Sequence, residues 1–86
     1  MMYYIDTIEQ IKGETEGTYS EYGGREKVAD QNLALSKYYT KLSNVAADLG
    51  KAHTYMNIKL VNSLGGVLKS DAIGTYEGEE PAPVEG

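Results

Sequence analysis

Residues 62–70 read NSLGGVLKS, two glycines flanked by hydroxyls with a lysine three positions beyond the second. Phosphate-binding loops use glycines in this way, but they need G-x-x-x-x-G-K-[ST] between a strand and a helix. Here the glycines are adjacent, the lysine is displaced, and an extended run follows the loop. Glycines in that setting supply the positive φ of a hairpin turn, and the segment is read as one.

His53 is the single histidine, and no carboxylate or histidine stands near it at a metal-ligand spacing, so no metal site is expected. Ser20, Ser36, Ser43, Ser63 and Ser70 could each supply a nucleophile to it, but none sits in a G-x-S-x-G elbow. A first hairpin could bring Glu9 and Glu21 together as a carboxylate pair, although cross-strand surface acids explain them as well. The chain has no cysteine, which removes disulfides, thiolate metal sites and a thiol nucleophile. No catalytic residue and no cofactor are expected, and the protein is read as no enzyme.

Tyrosine is the unusual feature. All eight aromatic residues are tyrosine: Tyr3, Tyr4, Tyr19, Tyr22, Tyr38, Tyr39, Tyr55 and Tyr76. A tyrosine joins a large apolar area to a hydroxyl and suits half-wet interfaces. Tyr19, Tyr22, Tyr55 and Tyr76 are the aromatic candidates for a partner-binding face, with Glu14, Glu16 and Glu21 as its acidic frame. Base stacking would use similar rings but needs a basic surround, so nucleic acid is not the expected partner.

Charge placement agrees. Residues 1–24 hold five acids and one base, residues 25–76 four acids and seven bases, and residues 77–86 four glutamates and no base. The net charge of −5 is therefore split between the first hairpin and the end of the chain, not laid out as a row of phosphate-like carboxylates.

The elements that would position these residues follow from periodicity. Met2–Ile11 and Gly17–Tyr22 read as strands joined through KGETEG. Residues 25–49 read as one long helix, ended by Gly50 as the residue after the cap. Its stripe is Val28, Leu35, Leu42 and Leu49 at sevenfold spacing, with Tyr38 and Val45 between. At about 1.5 Å per residue this makes a rod of roughly 36 Å, enough to cover a ten-residue strand. Met56, Ile58 and Leu60 alternate with polar neighbours as a half-buried strand, and Val67–Tyr76 forms a fourth.

The expected fold is α+β: a ββαββ two-layer sandwich with a four-stranded antiparallel sheet and the helix on one face. Orders 2-1-3-4 and 1-2-4-3 both keep every neighbour antiparallel. One domain spans 1–76, and residues 77–86, EGEEPAPVEG, are expected to be a disordered acidic tail. No apolar run approaches the roughly 20 residues that span a bilayer, and MMYYIDTIEQ lacks a signal-peptide pattern, so no membrane is expected.

MYYIDTIEQIKGETEGTYSEY, the helical YYTKLSNVA, the strand pair MNIKLVNSLGGVLKSD and the acidic Pro/Glu ending together resemble a known group. It is the small, mostly uncharacterised proteins encoded by phages and prophages of gut Firmicutes. Tyr39 stands where such proteins carry histidine, and Asn57 and Lys59 make the third strand more polar. The resemblance implies a mobile-element origin and a role in interaction. The expected function is a protein-binding module, acting as an inhibitor or modulator of a host defence complex. A homodimer through the uncovered sheet face and a location in the host cytoplasm accompany that reading. A minor virion or tail component, and a nucleotide sponge with its pocket at a dimer seam, are the alternatives.

Overall fold

The computed structural model describes residues 1–78 and runs β1 (Tyr3–Lys12), β2 (Tyr19–Val28), α1 (Gln31–Asp48), β3 (His53–Asn62) and β4 (Val67–Gly74). The strands form one antiparallel sheet in the order β2-β1-β3-β4, so the first of the two allowed orders is the one adopted. The α+β, ββαββ architecture is as expected.

The boundaries between β2 and α1 differ from the sequence reading. Residues 25–28 continue β2 instead of opening the helix, and β2 pairs with β1 from Tyr3↔Val28 to Lys12↔Tyr19. Val28 is buried as expected, but from a strand. Its sevenfold spacing to Leu35 coincides with a strand position facing the same core. The helix starts where Asp30 can cap it, with Asp30 Oδ2 accepting from the Leu33 amide at 2.8 Å. The resulting 18 residues give a helix of about 27 Å, shorter than the rod expected. Leu49 is the cap residue and Gly50 follows with φ +81°, as the glycine predicts.

The core lies between α1 and the β1–β3 centre of the sheet. Ala34, Tyr38, Met56, Ile58 and Leu60 are completely buried, Val45 and Ile5 nearly so. Leu35 and Leu42 pack on this cluster while half exposed, and Leu49 is also half-buried. The stripe therefore runs through Ala34, Tyr38 and Val45, rotated from the leucine positions, because α1 crosses β1 and β3 with that edge downward. Tyr38 donates its hydroxyl proton to Asp71, and burial followed by this bond holds the phenol well above its ordinary range.

The glycine-rich stretch is a turn. Gly65 has φ +85°, its amide donates to the Asn62 carbonyl at 3.0 Å, and Asn62 Oδ1 accepts from the Leu64 and Gly66 amides at 3.0 and 2.8 Å. The amides that a phosphate would use are already taken within the loop.

β4 ends at Gly74, two residues earlier than expected, because Gly74 adopts φ +82° and turns the chain off the sheet. Of the expected tail, Glu77 and Gly78 lie within the described residues, and residues 79–86 lie outside them. No helix among the described residues is long and apolar enough to cross a membrane.

Candidate functional site

In a strand, successive side chains point to opposite faces. Ile5 and Glu9 of β1 face the helix, so Tyr4, Asp6, Ile8 and Gln10 line the uncovered face. The register then sorts the candidates. Gln10 stands between Glu21 of β2 and Tyr55 of β3, whereas Glu9 is opposite Tyr22. Glu9 and Glu21 therefore lie on opposite faces of the sheet and cannot act as a carboxylate pair.

Residues 75–78 cross this row from β4 toward β2. The Thr75 amide donates to the Thr54 carbonyl at 2.8 Å, and the Tyr76 ring then meets Tyr55 edge to face at 5.1 Å between centroids. The Tyr76 hydroxyl donates to Glu21 Oε1 at 2.6 Å. Gln10 reads the backbone of Glu77 with both ends of its amide: Nε2 donates to the Glu77 carbonyl at 2.9 Å and Oε1 accepts from the Glu77 amide at 2.7 Å. The same Nε2 lies 3.2 Å from Glu21 Oε1. Gln10 is fully buried on a face the helix never touches, because this crossing segment covers it. Gly78 lies against the Tyr19 ring, so close that a side chain there would meet the phenol.

Four of the seven candidate contact residues are thereby gathered into one corner: Tyr19, Glu21, Tyr55 and Tyr76. Tyr22 is not among them, since its parity places it on the helix side of β2, where it is exposed. Glu14 and Glu16 sit exposed in the loop between β1 and β2, without a part in the corner's hydrogen bonds. A cleft of about 140 Å³ opens beside the corner between Lys12, Gly17, Thr18, Tyr19, Thr54 and Glu77. Next to the crossing segment the uncovered face carries exposed Ile8, followed by Asp6 held by Arg25 through two bonds of 2.6 and 2.8 Å. Arg25 also lies 4.6 Å over the Tyr4 ring.

A second constellation occupies the helix side. His53 Nδ1 lies 2.6 Å from Asp48 Oδ2, its Nε2 lies 3.1 Å from Glu9 Oε1, and Lys41 Nζ is also 3.1 Å from that oxygen. The His53 side-chain bond, countered in part by desolvation, holds the Asp48 carboxyl below its ordinary range. The sequence placed no carboxylate beside His53 at a ligand spacing, yet folding supplies two, one from the helix end and one from β1. Both ring nitrogens face a carboxylate oxygen, and the side chain stays partly exposed. Among the described residues no group of three His, Cys, Asp or Glu side chains is arranged to hold a metal ion. The arrangement ties the end of α1 to β1 and to the start of β3.

Gln10 and the carboxylate partners of His53 are the residues that periodicity missed. Gln10 carries no local signal, since its partner is 67 positions away. Asp48 had one: an acid in the last helical turn, five residues before a histidine that opens a strand. No protein-family model matches the chain, and neither does any curated protein or any solved structure.

Proposed function

We propose that the protein is a non-enzymatic protein-binding module whose contact surface is the tyrosine corner with the adjoining β1–β2 loop. The observation that supports this most is the crossing of the uncovered face by residues 75–78. It sets Tyr55 and Tyr76 edge to face and lays Gly78 against the Tyr19 ring, so these rings are held in place before a partner arrives. Prepaid ordering of large amphipathic side chains is what makes tyrosine effective at interfaces. Glu14 and Glu16 add negative charge at the rim, which favours a partner with lysine or arginine around an apolar centre.

The phage or prophage origin suggested by the sequence resemblance sets the class of partner: a host protein complex, such as a defence nuclease, met in the host cytoplasm. Affinity capture from host lysate, with wild type compared against Glu14→Lys/Glu16→Lys and against Tyr19→Ala, tests the reading. These substitutions leave the core and Gln10 untouched. A partner recovered with wild type and lost with both variants supports it. Equal recovery with all three proteins refutes the assigned surface, and stoichiometric presence in purified virions moves the protein to a structural role.

A further inference from the structure

β4 is an edge strand, and its sequence is complementary to itself. The Thr75–Thr54 hydrogen bond sets the ladder's phase, so with the register Leu60↔Lys69, Ile58↔Asp71 and Met56↔Ile73 those β4 residues turn their amides toward β3. Ser70 and Ala72 lie between them and turn their N–H and C=O groups outward. Lys69 and Asp71 share the helix side of the strand, Lys69 over the Tyr39 ring at 5.5 Å and Asp71 accepting from Tyr38. Both remain exposed at the edge.

We infer that a second copy of this chain docks on β4, antiparallel about a twofold axis through Ser70, to continue the sheet across two protomers. The charges select that register. Centring the axis on Lys69 or on Asp71 sets like charges opposite one another, and centring it on Ala72 leaves Lys69 facing threonine and Asp71 facing isoleucine. Only the Ser70 axis places Lys69 opposite the partner's Asp71 and Asp71 opposite the partner's Lys69. Those residues form the close, non-hydrogen-bonded pairs of such a ladder, where opposite charges stabilise and like charges destabilise. The twofold makes each contact occur twice, as a closed isologous interface requires.

The same features exclude other strands. A register shift at Leu60/Val61 leaves Leu68 as an extra residue that bends β4 at one end, and Gly74 turns the chain away at the other. Only a short straight stretch is open, and Lys69 within it opposes any strand that does not offer an acid at the matching position. The edge is thereby closed to general aggregation and open to its own copy. β2, with Tyr19 and Glu21, is the opposite edge of the sheet. This dimer therefore goes beyond the partner-binding reading and leaves Tyr19 and Glu21, on the far edge strand, clear of the contact on both copies.

Sedimentation equilibrium of the full chain, with Lys69→Glu, Asp71→Lys and their equimolar mixture, provides the test, with circular dichroism confirming the fold of each. Wild type is expected to dimerise, and each single variant to do so at least about tenfold more weakly, since both twofold-related pairs become repulsive. The mixture is expected to recover the dimer. In the mixed pair the glutamate introduced at position 69 faces the lysine introduced at position 71, and the unaltered Asp71 of one chain faces the unaltered Lys69 of the other. Asp71→Lys also removes the acceptor of Tyr38, so if it fails to fold, Lys69→Glu alone decides. A monomeric wild type up to millimolar concentration overturns the inference, and so does a dimer that Lys69→Glu leaves unchanged. Neither result touches partner capture by the tyrosine corner.

Discussion

Replacing Gln10 by leucine removes the peg that holds residues 75–78 on the sheet while keeping nearly the same volume. Three contacts disappear: the donation from Nε2 to the Glu77 carbonyl at 2.9 Å, the acceptance from the Glu77 amide at 2.7 Å, and the longer one to Glu21 at 3.2 Å. A net contribution near 1 kcal/mol for each backbone bond and less for the long one sums to about 2–3 kcal/mol. Glu77 is exposed, so its freed N–H and C=O find water and add no desolvation penalty. For a domain of this size the loss corresponds to roughly 10–20 °C in Tm, unless the segment peels away first and limits the global effect.

Hydrogen exchange separates those cases. The Glu77 amide is expected to exchange roughly 30- to 150-fold faster in Gln10→Leu, while amides in the middle of β3 follow global stability. Gln10→Glu is expected to be worse above the carboxylate pKa, because it loses the Nε2 donor and sets a second carboxylate beside Glu21. Exchange at Glu77 within threefold of wild type in Gln10→Leu refutes the reasoning, since the amide pairing would then contribute nothing to ordering the segment.

Two further outcomes follow from the geometry. Gly74→Ala is expected to cost about 2 kcal/mol or more, because φ is +82°, an added Cβ would strike the Thr54 carbonyl, and Leu49 Cδ2 would lie 2.9 Å from it. Urea unfolding with exchange at Glu77 reads both the global cost and release of the crossing segment; wild-type stability would show that the turn relaxes freely. In acid, Asp6 and Asp48 both titrate below the ordinary aspartate range, Asp6 chiefly through its bond to Arg25 and Asp48 chiefly through its bond to the His53 ring. A depressed folded-state pKa stabilises the fold above the unfolded value, and that contribution is lost as pH falls through the folded value. Urea midpoints are thus expected to drop below about pH 4, less steeply in Asp6→Asn and Asp48→Asn; an unchanged slope in both variants refutes these pairings.

Much of the architecture is legible in the chain because local periodicity reports which side of an element is buried. Met56, Ile58 and Leu60 alternate, and all three are completely buried. Gly50 and the NSLGG turn were readable because a positive φ is a local demand on residue type. The boundary near Val28 was not, since its spacing to Leu35 suits a helix face and its position on β2 points to the same core. Asp30 held the missing signal, a capping aspartate three residues before Leu33.

The sequence by itself determined the single α+β layer pair, the excess of tyrosine, the acidic first hairpin and the lack of any thiol chemistry. Tertiary structure alone decided which tyrosines meet, that Gln10 is buried by Glu77, and that His53 lies between Asp48 and Glu9. Those pairings depend on strand order and register, which bring together residues 67 and 44 positions apart. Either antiparallel order would have satisfied the same alternation. Only β1 at the centre, flanked by β2 and β3, sets Gln10 between Glu21 and Tyr55 and gives the crossing segment a place to bind.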